Sequence, residues 1–215
     1  ISLISSATSY HPTDTAMTPL VLASTSSSRK VLLERLQLPF VQIAPEFSEI
    51  PTKGEAPPDM ALRYALGKAQ SVRRHLDGHG LIIGSDQVAL LHDEGQQQQI
   101  LDKPLTHAKA VRQLSRCSGR TVLFHTAVCL LNSSTDGVQS GVADYQVHFR
   151  RLSRSEIDSY LHKDTPYDCA GSFRAEGLGI ALFTEMAGQD PTSLIGLPLI
   201  TLVDMLKKEG VKLLK

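Results

Sequence analysis

Apolar and polar positions fall in blocks along this chain, and the period inside each block changes. Apolar runs at 20–23 and 81–84, and the segment 40–44 interrupted only by Gln42, predict short strands. Between them the spacing turns helical. Val31, Leu32 and Leu36 mark a helix over 29–38, after a polar loop at 24–28. Leu62, Ala65, Leu66, Ala69 and Val72 form one stripe over 57–76, with Pro57 and Pro58 where a helix begins. Thr106 is placed to cap a helix running to 117, and Ser153 with Glu156 three residues later forms a capping box for another. Two longer β segments, 121–131 and 138–149, flank a turn rich in Asn, Ser, Asp and Gly, so they predict an antiparallel pair. The pattern closes with a strand over 179–183 and a helix over 197–209 that Gly210 ends. Strands alternating with helices define an α/β fold, and the antiparallel pair makes its sheet mixed.

Residues 1–16 stand apart. They are rich in Ser and Thr, contain no Lys or Arg, and read as a poorly ordered leader, with the folded domain over 17–215 and Met17 as its natural start. The glutamine tract 96–99 lies between apolar runs, as a loop or hairpin would. No Pro/Gly/Ser linker divides the rest, so one domain is expected. Composition then removes whole classes. With 22 basic and 22 acidic residues the formal charge is zero, against a nucleic-acid partner, and 41% hydrophobic content is ample for a core. No apolar run approaches the roughly 20 residues needed to span a membrane. Cys117, Cys129 and Cys169 form no CxxC pair, so neither a disulfide framework nor a structural zinc site is expected. The chain reads as soluble and cytoplasmic.

Three places could carry chemistry. The run at 81–84 ends in Gly84, followed by Ser85 and Asp86. In open α/β sheets ligands bind beyond the carboxyl ends of strands, and a glycine there lets a ligand approach closely. Asp86 would stand at the mouth of such a cleft, or simply cap a turn. The run at 20–23 leads into Ser24, three further hydroxyl residues, Ser28 and Arg29. Helix N-terminal amides with small hydroxyls and an arginine fork suit a phosphate, and a plain serine-rich cap would look the same. Glu46 and Glu49 follow a strand, Lys68 lies on the long helix, and Lys103 precedes Pro104. Singly these are surface charges; together they suit a polyphosphate bound with a divalent metal. Gly67-Lys68-Ala69 lacks the rest of a P-loop, no GxSxG elbow occurs, and Cys169 reads as a packed small residue.

Taken in order, 22–29 (LASTSSSR), 46–49 (EFSE), Lys68-Ala69, 84–88 (GSDQV), Lys103-Pro104, 169–177 (CAGSFRAEG) and 194–198 (LIGLP) resemble the Maf family of nucleotide pyrophosphatases. The likeness covers residues 19–210. Gln87 after the aspartate and Glu176 in SFRAEG are similar to the 7-methyl-GTP pyrophosphatase subgroup, whereas the dTTP/UTP subgroup typically has Thr after that aspartate. The resemblance implies a two-lobed mixed α/β sheet with flanking helices and a central cleft, similar to inosine-triphosphate pyrophosphatases. It implies hydrolysis between the α and β phosphates of a nucleoside triphosphate, a divalent cation (magnesium, manganese or cobalt), and a homodimer.

Carried onto this sequence, the resemblance makes Asp86 the general base and a metal contact, with Glu49 also on the metal. Ser24, Arg29, Lys68 and Lys103 would bind phosphate. Ser28, Gln87 and Glu176 would set the base preference. Two positions depart from the family pattern. Ser28 stands where subgroup members carry Trp, which removes an aromatic face for a cationic base. Asp102 stands where Gly is usual, and would either pair with Lys103 or face solvent. The alternatives are a dTTP/UTP or broad-specificity house-cleaning pyrophosphatase, and a nucleotide-binding regulator of cell division without catalysis.

Overall fold

Leu20, Val21, Leu22 and Ala23 form β1 (Leu20–Ala23), and every one of the four is buried. Period two decides where each goes. Leu20 and Leu22 join one apolar cluster, and Val21 and Ala23 join another on the opposite face of the sheet. In this computed structural model, residues 18–76, 78–92 and 99–214 are described. The proposed leader, Met17 and glutamines 96–98 lie outside them.

The other strands are β2 (Phe40–Ile43), β3 (Leu81–His92), β4 (Gln99–Ile100), β5 (Thr121–Asn132), β6 (Gly137–Phe149) and β7 (Phe183–Gly188). They make one seven-stranded sheet in the order β2-β1-β3-β5-β6-β7, with β4 paired to β3 off that path. β1 runs parallel to β2 and β3, and the remaining pairs are antiparallel, so the sheet is mixed as expected. The helices are α1 (Ser27–Glu34), α2 (Pro57–Arg73), α3 (His107–Cys117), α4 (Arg154–Asp164), α5 (Pro191–Ile195) and α6 (Leu199–Lys208). Around β1 the sheet is covered on one face by α2 and on the other by α1 and α6. A third cluster packs α3 and α4 against the far halves of β3 and β5. β3 and β5 thus run through both lobes.

Three expectations change, and one short helix is additional. The strand predicted at 81–84 continues to His92. Its polar residues 85–87 break the apolar run, but β5 pairs with it along its whole length, from Leu81 opposite Asn132 to His92 opposite Thr121. Asp86 is therefore inside a strand rather than past its end. The strand predicted over 179–183 is instead a 3-10 turn, Leu178–Leu182, with β7 starting at Phe183. The chain folds back so tightly that a Cβ on Gly179 would collide with the Arg174 carbonyl. The helix expected over 197–209 is present as α6, and α5 precedes it as a further short helix. α5 is capped by Asp190, whose Oδ1 accepts from the Thr192 amide at 2.9 Å, and Gly196 turns the chain at φ +119°. The other Asp190 oxygen accepts from the Ile200 amide of α6 at 2.9 Å, so one buried carboxylate joins both helices. Lastly, α1 begins at Ser27, capped by Ser26, and ends at Glu34, so Arg29 lies in its first turn.

Candidate active site

α2 and β3 touch at a glycine, and that contact builds the site. A Cβ on Gly84 would collide with the backbone carbonyl of Ala65, so only glycine lets the helix lie this close to the strand. Two residues along β3, Asp86 points to the same face as Gly84. Lys68, one turn after Ala65, meets it there. The Lys68 Nζ donates to Asp86 Oδ1 at 2.5 Å and lies 2.5 Å from Glu49 Oε1. Lys68 and Asp86 are both buried, whereas the Glu49 side chain is 47% exposed. Glu49 arrives on the loop after β2. Phe47 pins that loop to α2, its ring filling the space a side chain at Gly67 would need.

The edge of β3 is open at this level. β1 pairs with it only from Leu20 opposite Leu81 to Ala23 opposite Gly84. Beyond Ala23 the chain leaves the sheet through buried Ser24, whose Oγ accepts from the Ser26 amide at 3.1 Å. β1 thus ends beside the cluster, whereas β3 passes on through it.

Asp86 and Gln87 are neighbours in sequence and leave the strand on opposite faces. The Gln87 Nε2 donates to Thr126 Oγ1 at 2.9 Å and to the carbonyls of Ser193 and Leu194 at 2.9 and 3.1 Å. Its amide nitrogen is thereby committed to β5 and α5. Ser85, on the same face, donates to the Gly196 carbonyl at 2.9 Å. The Arg29 Nε donates to that same carbonyl at 2.7 Å. β3 therefore fixes the α5–Gly196 turn, and the turn fixes Arg29.

Electrostatics follow from this packing. Burial pushes the Asp86 carboxyl above its ordinary range, and Lys68 and Arg29 only partly offset it, while Glu49 adds to the rise. Burial also acts upward on Glu49, but the hydrogen bond and charge of Lys68, with Lys103 and Arg29, outweigh it and hold Glu49 below its usual value. Burial draws the Arg29 guanidinium down against the pull of Asp86 and Glu49, and it stays charged. Lys103 is exposed, close enough for its charge to act on Glu49. Asp102 is exposed too and joins no ion pair among the described residues, so it leaves Lys103 unpaired.

At the outer end, Ser28 of α1 donates from Oγ to Glu176 Oε1 at 3.0 Å, across 148 positions of sequence. Two proposed base-reading residues thus meet across the lobes, while the third, Gln87, turns toward α5. Glu46 lies apart from the cluster, 3.4 Å from exposed His75. The Cys169 thiol is pushed up to about 11, first by burial and then by Asp168, which leaves it protonated and unsuited to nucleophilic attack. Sequence reasoning missed Ser85 and Gly196, though a Gly before Leu-Pro marks a turn. A separate concavity lined by Arg150, Glu156, Tyr160, Leu178 and Leu182 shares no residue with this site.

Asp86 and Glu49 converge on a single cationic point, the Lys68 ammonium. Two carboxylates plus ligand phosphate oxygens are a donor set that magnesium takes. Among the described residues no group of three or more His, Cys, Asp or Glu could hold a metal alone, so substrate oxygens would complete the shell. No helix among the described residues is long and apolar enough to cross a membrane.

At one open strand edge of a mixed α/β sheet the structure gathers two carboxylates, two buried or half-buried cations and an exposed lysine, a set of charges that could hold a polyanion. The chain matches the description of a Maf-like protein over residues 19–209, and it belongs to that family. It is 53% identical, over 195 residues, to a 7-methyl-GTP pyrophosphatase of Methylobacillus flagellatus, covering 91% of this chain and 98% of the relative. Among solved structures it is similar to a nucleoside-triphosphatase (dITP/XTP pyrophosphatase) from Mycobacterium abscessus, at TM-score 0.42 and 17% identity over 63% of this chain and 76% of that one. A HAM1 protein from Coxiella burnetii gives TM-score 0.39 and 15% identity over 63% and 75%.

Proposed function

We propose that this protein is a nucleoside triphosphate pyrophosphatase. It hydrolyses the α–β phosphoanhydride, with 7-methyl-GTP as preferred substrate, and releases the nucleoside monophosphate and pyrophosphate. The observation that carries the reading is Lys68, whose ammonium bridges Asp86 and Glu49 at the open edge of β3. The Methylobacillus relative named for this activity shares more than half its residues with the chain.

In this mechanism Asp86 takes a proton from a water that attacks the α-phosphorus. A carboxylate with a raised pKa is the stronger base for that step. The bond from the α-phosphorus to the bridging oxygen breaks, and the electron pair leaves with pyrophosphate. Lys68 has three N–H donors, and two are used on carboxylates. The third donates to a phosphate oxygen. Arg29, Lys103 and Ser24 with its loop amides hold the remaining charge. A divalent cation held by Asp86 and Glu49 would withdraw charge from the phosphates.

Glu176 reads the base: a carboxylate accepts the N1–H and N2–H₂ donors of guanine, and its charge favours the 7-methyl cation. Ser28 holds one of its oxygens, and Gln87 acts through α5 rather than by its amide nitrogen. That commitment of Gln87 favours a second reading, a pyrophosphatase of broader base preference. Pyrophosphate release from 7-methyl-GTP, GTP, dTTP, UTP, CTP and ITP, with magnesium and with manganese, separates them. Dominance of 7-methyl-GTP supports the first; comparable kcat/KM across bases supports the second; no release from any of them contradicts both and favours the binding regulator.

A further inference from the structure

A layer of hydroxyls lies between the sheet and α5, where apolar side chains would serve a core equally well. Ser85, Thr126 and Ser193 are all fully buried there. Gln87 and Thr126 stand opposite each other across β3 and β5, and Ser85 leaves the same face of the sheet. The Thr126 Oγ1 donates to the Ser193 carbonyl at 2.9 Å and accepts from the Gln87 amide at 2.9 Å. Together with the Gln87 and Ser85 bonds described above, the sheet thus holds the carbonyls of Ser193, Leu194 and Gly196. A buried hydroxyl costs free energy unless it is bonded, and what a bonded network adds over apolar packing is direction.

α5 needs that direction. Pro191–Ile195 is little more than one turn, too short to be stable by itself. Its apolar anchors are divided between the lobes: Leu194 joins the cluster under α3 and α4, whereas Ile195 and the following Leu197 join the one under α1 and α6. Apolar burial is non-directional, so it does not fix how the turn is rotated at this junction. The rotation matters because the Gly196 carbonyl at the end of α5 accepts from the Arg29 Nε at 2.7 Å. A Cβ on Gly196 would lie 3.4 Å from that nitrogen, so the arginine is packed directly on the turn. A guanidinium is a rigid planar fork, and fixing Nε fixes where its two terminal nitrogens point. Those two make no hydrogen bond among the described residues and are left for a ligand.

We infer that Thr126 is a positioning residue, whose hydroxyl holds α5 from β5 and so aims the Arg29 guanidinium at the phosphates. This rests on reading Arg29 as a phosphate ligand, and the test keeps the two apart. Thr126→Val keeps nearly the same shape and leaves the Ser193 carbonyl bonded to Gln87, whereas Thr126→Ser keeps the hydroxyl and loses a methyl. Both are made in the wild type and in Arg29→Met. Calorimetric binding of inorganic triphosphate with magnesium is measured beside the urea midpoint. Arg29→Met weakens binding about tenfold or more, as loss of a charged hydrogen bond does. Thr126→Val weakens it about two- to thirty-fold, and Thr126→Ser binds as the wild type does whatever its midpoint. In Arg29→Met the valine changes nothing further, because residues acting through one another are not additive. Unchanged affinity in Thr126→Val, an equal loss in Thr126→Ser, or a full additional loss on top of Arg29→Met overturns the inference. If Arg29→Met binds triphosphate as tightly as the wild type, the phosphate reading of Arg29 falls and the inference falls with it.

Discussion

At the inner end of the site, Lys68, Asp86, Glu49 and Arg29 are held by a helix, a central strand, a pinned loop and a helical first turn. At the outer end, a 3.0 Å hydrogen bond joins half-buried Ser28 to exposed Glu176. The inner groups constrain one another's charge, since each carboxylate's titration depends on Lys68 and Arg29. The outer pair lies in solvent, where the same interaction is weakly felt. In the proposed reaction the chemistry would rest on groups built into the core of the fold, and base preference on surface side chains that can change without disturbing it.

The largest effect expected is at the inner end. Asp86→Asn lowers kcat by about 10²–10⁴-fold, the usual contribution of a general base, with the fold retained by circular dichroism. Near wild-type turnover would remove Asp86 from the reaction. Next, Lys68→Met leaves Asp86 and Glu49 without the ammonium that bridges them. Breaking a buried pair from one side costs about 3 kcal/mol or more, read as a lower urea midpoint, and turnover is lost as well. An unchanged midpoint would mean that the inner cluster is no more rigid than the outer pair.

The pH dependence separates the two carboxylates. Asp86 has a raised pKa and must be ionised to act, so the acid limb of kcat/KM lies above the ordinary aspartate value of 3.8. Its ionisation also opposes folding, so this contribution to stability falls as pH rises from 3.8 through the folded value. Glu49 is lowered from 4.5, so the stability it contributes is present above 4.5 and is lost as pH falls through its folded value. A pH–rate profile with its acid limb at or below 3.8 contradicts the assignment. The smallest effects belong to the outer end. Ser28→Ala changes stability by no more than about 0.5 kcal/mol, as for other surface changes, and shifts the ratio of kcat/KM between bases by a few-fold. A large fall in kcat for every base alike would show that the ends are not separable.

These differences also decide what was legible in the sequence. β1, α2, α3 and the β5–β6 pair follow from periodicity and caps, because their apolar stripes match the faces they bury. β3 was cut short at Gly84 because residues 85–87 are polar, and only the pairing with β5 carries the strand through them. α5 was missed, although Asp190-Pro191 before it and Gly196 after it are helix start and stop signals. For the site, the resemblance to the Maf family joins Asp86, Glu49, Lys68 and Arg29, which the residues alone leave in three separate segments. Spacing says nothing about which face of a strand a residue leaves from once the strand's extent is misread. Gln87 is grouped with the base readers by the family resemblance, and in the structure its amide nitrogen is turned toward α5. The Ser28–Glu176 contact was equally hidden, since it joins positions 148 residues apart.

The central claim is that water, activated by Asp86, attacks the α-phosphorus. Hydrolysis of 7-methyl-GTP in ¹⁸O-labelled water, followed by mass spectrometry of both products, tests it directly. The label is predicted in the nucleoside monophosphate, with unlabelled pyrophosphate in equal amount. Label in pyrophosphate, or a diphosphate product with labelled orthophosphate, would contradict it.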